Sequence, residues 1–289
     1  PQDKAADFSV NVEVAAAAGG GDRRFRIGVR LTAFLWRRLA RMHAKAAAPA
    51  ALGRAPGSRP EAVVRYDRAR FDFAALLARL LELPAAAARG PSEELSQMHR
   101  RPLTGKPLFP GLGKAYTLGG FSVPSEWRDY GSRETLRLEA SDTWQEFMRL
   151  YRTFVKEVCA PLCGAERLVF QCPPTMRIAL PGCPATIQAH CHSEYPAHWH
   201  GEVNFWLPVT PVFGTNSLWL ESEPEKGDFH PAELGFGEVL CFNGFQCRHY
   251  TCKNETDSTR VSFDWRAIPE ELFEGRAVGM IGDYPAERI

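Results

Sequence analysis

The sequence contains no apolar run approaching the ~18 residues that a bilayer-spanning helix needs, so no membrane span is expected. It has almost no surplus of charge. Its 35 Lys and Arg against 34 Asp and Glu leave +1, which offers no electrostatic case for nucleic acid or an anionic membrane as partner. None of its eight cysteines form a Cys-x-x-Cys pair, so a zinc knuckle is not expected. The cysteines (159, 163, 172, 183, 191, 241, 247 and 252) crowd into one part of the chain instead of spreading as a disulfide framework. Reduced thiols in a cytoplasmic protein are therefore the expectation. No internal repeat is visible, and Gly111-Leu112-Gly113-Lys114 lacks the spacing and strand–helix context of a phosphate loop. Asn254-Glu255-Thr256 fits a glycosylation sequon without a secretory context. The chain begins with Pro1 and not Met, which is consistent with a trimmed leader.

What is present divides the 289 residues into an arm and one domain. Residues 1–60 are expected to be a low-complexity arm. Ala15 to Gly21 and Ala46 to Pro60 are rich in Ala, Gly and Pro, too poor in large apolar groups to offset ordering entropy. Between them, Arg30 to Lys45 interleaves apolar residues with arginine and predicts a basic amphipathic helix packed on the domain. Residues 61–289 are expected to be a single domain, with a helical part at 61–164, a β core at 165–268 and a C-terminal tail at 269–289. Phe71, Phe73, Leu76, Leu77, Leu80 and Leu81 predict a helix over Tyr66 to Leu83. Ser92 is a plausible cap for a short helix. Ser141 opens a longer helix to about Cys159, with a wide apolar stripe and Pro161 as its stop. After residue 165 come about eight short strands punctuated by Gly and Pro, which reads as a jelly roll or closed barrel. The fold class is therefore mostly β with flanking helices (α+β), the N-terminal helices packed on the β core.

The densest chemistry lies in His190-Cys191-His192-Ser193-Glu194, followed by His198-Trp199-His200-Gly201-Glu202 and the apolar run Val203 to Pro208. Four of the eight histidines fall within these positions, and two of them stand two residues before a glutamate. On an extended segment a His-x-acid pair shares one face. With a second histidine from elsewhere it makes a 2-His-1-carboxylate triad, the donor set that holds Fe(II) with open positions. His249 is the candidate second histidine. Beyond it, alternation along Arg260 to Arg266 puts Arg260, Ser262, Asp264 and Arg266 on one face, with Val261, Phe263 and Trp265 on the other. A guanidinium beside a hydroxyl suits a carboxylate.

His-x-acid, a distal histidine and Arg-x-Ser about a dozen residues beyond it resemble the Fe(II)/2-oxoglutarate-dependent oxygenases, in particular their phytanoyl-CoA-hydroxylase-like branch. The runs Gln171 to Arg177 and Gly201 to Pro208 look similar to a streptomycin-biosynthesis dioxygenase-like subgroup. The resemblance covers roughly residues 165 to 268, a little over a third of the chain. It implies a double-stranded β-helix (jelly-roll, cupin-like) core. It selects His192 and Glu194, over His200 and Glu202, as the metal pair by spacing to Trp206. The departure from the family pattern is Glu194, where aspartate is commoner.

The resemblance implies Fe(II) on His192, Glu194 and His249, with the 2-oxoglutarate carboxylate on Arg260 and Ser262. It further implies hydroxylation or desaturation of a small polar metabolite with O2, releasing succinate and CO2. Arg177, Glu202 and Asn204 are candidate substrate contacts; for Arg177 and Glu202, surface pairing is the plain alternative. Two other classes remain open, a non-catalytic cupin-like binding protein and a zinc hydrolase using the histidine cluster.

Overall fold

The computed structural model describes residues 61–81, 83, 90–100, 140–195, 198–273, 280–282 and 284–289, and the backbone of strands at 8–15, 24–31 and 120–123. In the arm, β1 (Phe8–Ala15) and β2 (Arg24–Leu31) pair antiparallel across the Ala/Gly-rich stretch. The expected basic helix is not found at its start, because Arg30 and Leu31 belong to β2; the remainder of that segment lies outside the described residues.

The domain begins with β3 (Glu61–Arg65), a strand within the part expected to be helical. Its two faces are poorly separated in hydrophobicity, and among the described residues it pairs on one side only, against β10. The first helix, α1 (Phe73–Leu80), starts later than its apolar pattern, where the Asp72 carboxylate accepts from the Ala75 amide. In α2 (Pro91–Ser96) the cap is Gly90, and Pro91 takes the first helical position, where its missing N–H costs nothing. Strand β4 (Gly120–Val123) precedes α3 (Asp142–Phe154), which the Ser141 hydroxyl caps at the Trp144 amide, 3.2 Å away. A π-helical turn (Val155–Cys159) carries it into α4 (Ala160–Cys163). Pro161 does not stop the helix, because it sits in the first turn of α4; Gly164, at φ 66°, ends it.

The β part runs β5 (Leu168–Gln171), β6 (Thr175–Ala179), β7 (Val203–Pro208), β8 (Leu218–Leu220), β9 (His230–Pro231), β10 (Glu238–Phe242), β11 (His249–Thr251), β12 (Arg260–Pro269), β13 (Met280–Ile281) and β14 (Tyr284–Arg288). One nine-stranded sheet has the order β13-β14-β5-β12-β7-β10-β3, with β4 and β6 branching from β12. Strand β12 is its spine. It pairs with β7 along one edge, and on the other with β6 near its start and β5 near its end. The C-terminal tail is part of this sheet, since Ala286 lies opposite Gln171. A smaller sheet, β11-β8-β9, packs Leu218 and Leu220 against Trp206, Leu240 and Phe242 of the large one.

Alternation along β12 divides the molecule. Val261, Phe263, Trp265 and Ala267 join the main core with Phe73 and Leu77 of α1 and Phe147, Tyr151 and Phe154 of α3. The Phe263 ring lies 5.1 Å from that of Phe73 and 5.5 Å from that of Phe147. Burying such a ring is worth about 1.5–3 kcal/mol. The opposite face of β12 carries Arg260, Ser262, Asp264 and Arg266, and the candidate site is built there. Among the described residues, no helix is long and apolar enough to cross a membrane.

Candidate metal and anion site

Three imidazoles converge over that polar face. His190 and His249 are bridged through their backbones, while His192 opens a short 3-10 turn (His192–Glu194) whose amide donates to the Gly244 carbonyl at 2.9 Å. The ring centroids lie 4.4 Å apart for His190 and His249, and 5.2 Å for His192 and His249. The donor atoms of His190, His192 and His249 all fall within 4.8 Å of one another. Close passage of the backbone at Gly244 makes this possible, since a Cβ there would lie 2.6 Å from the Asn204 side chain.

Hydrogen bonds assign the ring nitrogens. His249 Nδ1 is 3.1 Å from the Cys247 carbonyl and His190 Nδ1 is 2.8 Å from the Gln188 carbonyl. A carbonyl only accepts, so both Nδ1 atoms carry the proton and both Nε2 atoms keep a lone pair. Burial pushes all three imidazoles below their ordinary pKa, His192 and His249 strongly so, with the Arg266 charge adding to the effect on His192. Neutral imidazoles are what a metal requires.

A second group shares His192. The fully buried Glu202 carboxylate accepts from His198 Nδ1 at 2.9 Å and from the Trp199 amide at 3.1 Å, and lies 3.5 Å from His192 Nδ1. His192, His198 and Glu202 could also hold a metal.

Glu194, expected as the triad carboxylate, stands outside both groups. The 3-10 turn breaks the extended backbone that would have aligned it with His192, and its carboxylate pairs with Arg248. His200 is exposed, and the Glu202 carboxylate is taken up by His198 and the Trp199 amide. Arg177 forms an ion pair with Asp264 in which the two side chains are 11% and 19% exposed. Asn204 lies beside His192, with Nδ2 3.5 Å from Nδ1 and its Oδ1 without a partner. Three contributors escaped the sequence reading. His190 shares period-two spacing with His192, His198 stands in the same histidine-dense run, and Arg266 shares the strand face of Arg260, so each had a local signal but none of them was singled out.

Arg260 is buried, and its Nη1 donates to the Asn216 carbonyl at 2.9 Å. Burial and the nearby Arg177 charge bring it down to about 10. Its Nε and the buried Ser262 hydroxyl have no partner, two polar atoms side by side on one strand face. Unsatisfied groups of this kind cost about 1–3 kcal/mol each, which a carboxylate could recover. Histidine donors and a carboxylate cradle are therefore both available.

The chain is similar to a streptomycin biosynthesis protein. It is 32% identical to StrG of Streptomyces griseus over 125 residues, which is 43% of this chain and 58% of StrG. The resemblance to streptomycin-biosynthesis proteins read from the sequence is borne out by this match. The matched stretch spans a little over half the length of StrG. No family model matches the chain.

Solved structures with a similar outline include SnoK from nogalamycin biosynthesis, a non-heme α-ketoglutarate-dependent carbocyclase. It is 11% identical with a TM-score of 0.43, covering 79% of this chain and 89% of SnoK. HygX from Streptomyces hygroscopicus, with nickel and 2-oxoglutarate bound, is 10% identical with a TM-score of 0.39, covering 78% and 90%. A prolyl hydroxylase from Trichoplax adhaerens is 11% identical with a TM-score of 0.38, covering 83% and 93%.

Proposed function

We propose that the chain is an Fe(II)- and 2-oxoglutarate-dependent dioxygenase on a double-stranded β-helix core, hydroxylating or desaturating a small polar metabolite with release of succinate and CO2. The observation that carries this reading is the pairing of a buried, neutral histidine group with the orphaned Arg260 Nε and Ser262 hydroxyl on one strand face. Arg260 and Ser262 would hold the distal carboxylate of 2-oxoglutarate. Asp264 pairs with Arg177, and the Arg177 charge is felt by Arg260, His190 and His249. Asn204, with its Oδ1 unpartnered beside His192, would contact the substrate, while Glu202 is already engaged by His198 and the Trp199 amide.

Iron would be held by His192, His249 and Glu194. A carboxylate balances the metal charge next to Arg177 and Arg266, which three neutral imidazoles do not. To reach the metal, Glu194 would have to release Arg248 and the 3-10 turn at His192–Glu194 would have to rearrange. Iron, when bound, supplies oxygen activation driven by decarboxylation of the co-substrate. A second reading, in which His190 is the third ligand, is favoured by its position beside His192 and His249.

The test is anaerobic loading with Fe(II) and 2-oxoglutarate, followed by oxygen exposure and measurement of succinate against a panel of polar sugar and amino acid derivatives. Iron-dependent succinate release supports the reading. Absence of both 2-oxoglutarate binding and succinate would leave a cupin-like binding protein instead.

A further inference from the structure

Arg266 is 6% exposed and lies on the same strand face as Arg260, but it was not part of the cradle just described. Its surroundings are unusual for a buried cation. Nη1 donates to Gln171 Oε1 at 2.8 Å, and the guanidinium carbon sits 4.2 Å from the centre of the Tyr284 ring. Nη2 lies 3.4 Å from His192 Nε2, and Nε has no partner. Among the described residues, no carboxylate pairs with it. A guanidinium removed from water without an anion is costly, and proteins seldom keep one without a use for the charge.

The edge left open matters more than the missing partner. Nε–H and the neighbouring Nη2–H point the same way, and this is an edge that can grip an oxyanion through two parallel bonds. Here Gln171 occupies Nη1 instead, and the Nε–Nη2 edge faces the His192 ring. Three elements set this orientation. Tyr151 of α3 donates its hydroxyl to the Gln171 carbonyl at 2.7 Å, fixing the end of β5. Thr175 holds the Gln171 amide nitrogen at 2.9 Å, which turns Oε1 toward Arg266. Strand β14 brings Tyr284 over the guanidinium from the other side. The guanidinium is clamped by neutral groups on its face and on Nη1, and on the bidentate edge Nη2 meets His192 while Nε alone has no partner. Arg260 begins β12, and six residues of strand put its Cα about 20 Å from that of Arg266 at ~3.3 Å per residue. The two cations are separate anchors at opposite ends of one face.

We propose that the Nε–Nη2 edge of Arg266 is a second oxyanion-binding site beside the histidine group, taking a carboxylate or phosphate. The oxyanion comes either from the substrate or from the keto-acid end of the co-substrate. This rests in part on reading the histidine group as a metal site, and the experiment separates the two claims. The full chain is loaded anaerobically with Fe(II) and titrated calorimetrically with 2-oxoglutarate. The 2-oxoglutarate-saturated protein is then titrated with acetate and with inorganic phosphate, comparing Arg266→Gln and Arg266→Lys with the unaltered protein.

A tenfold or greater loss of 2-oxoglutarate affinity in Arg266→Gln assigns the edge to the co-substrate. A similar loss confined to acetate or phosphate assigns it to a substrate oxyanion. In either case Arg266→Lys should fall between Arg266→Gln and the unaltered protein. Affinities all within threefold of the unaltered protein in Arg266→Gln overturn the proposal. If the unaltered protein binds no 2-oxoglutarate, the oxygenase reading fails, and acetate and phosphate titrations alone still test the edge by the same criterion. If Arg266→Gln does not fold, the Arg266 Nε–H resonance decides, identified by its loss in Arg266→Lys. It must shift when the unaltered protein is saturated with anion, and a stationary resonance overturns the proposal.

Discussion

His249 Nδ1 lies 3.1 Å from the carbonyl oxygen of Cys247, so the ring is held as the tautomer whose Nε2 lone pair is free. The same logic fixes His190 through Gln188, whereas His192 is flanked on Nδ1 by Glu202 and Asn204 and on Nε2 by Arg266. A carboxylate or carbonyl behind a ligand ring orients it and raises its basicity.

Metal titration of single variants should separate the ligands from their neighbours. His192→Ala and His249→Ala are expected to abolish Fe(II) binding, and His200→Ala to leave it within threefold. Loss in Glu194→Ala with retention in His190→Ala supports the carboxylate triad; the reverse result makes His190 the third ligand. His198→Ala and Glu202→Gln act one shell out and should weaken binding by about 10–100-fold.

The co-substrate prediction concerns Arg260 and Ser262. Arg260→Lys keeps the charge and loses the fork, so 2-oxoglutarate binding should weaken by about 1.5–3 kcal/mol. Ser262→Ala removes one donor and should cost about 1 kcal/mol. Iron affinity should barely change in either. Calorimetry showing 2-oxoglutarate indifferent to both Arg260→Lys and Arg260→Ala would remove the cradle assignment.

Stability without metal should depend on pH through the histidines. Their folded pKa values are depressed by burial from an ordinary value of 6.5. The unfolded chain therefore takes up protons near that value while the folded protein does not. Stability is fully present above about 6.5 and falls as pH drops below it, at up to about 1.4 kcal/mol per pH unit for each histidine. Denaturant melts from pH 7.5 to 5 should show this slope, reduced in His190→Gln; an unchanged slope in that variant would count against its buried neutral state.

Gly244→Ala tests the close backbone passage. Its Cβ would meet Asn204 at 2.6 Å, and the Gly244 carbonyl holds the His192 amide. Overpacking here should cost about 1–3 kcal/mol and also disturb metal binding. On the opposite face, Phe263→Ala should cost about 3–5 kcal/mol by opening a cavity between β12 and the helices, without altering which ligands bind.

Much of this architecture could be read locally. Period-two alternation along β12 separated Phe263 and Trp265 from Arg260 and Ser262, because a strand's side chains can only alternate. The apolar stripe and Ser141 cap located α3, and the apolar run Val203 to Pro208 located β7. Strand β3 and the C-terminal β14 were missed for one reason. Their hydrophobicity does not alternate cleanly, and what marks them as strands is their pairing with β10 and β5.

The site divides in the same way. Residue types and spacing pointed to two His-x-Glu pairs, His249, Arg260 and Ser262, since each carries its chemistry in its own side chain, and the family resemblance chose His192 and Glu194 between the pairs. Tertiary structure decided the company they keep. The 3-10 turn at His192 sends Glu194 to Arg248, Gly244 lets His192 settle against Asn204, and β14 closes Tyr284 over Arg266. These outcomes depend on contacts between segments tens of residues apart, so no local pattern encodes them.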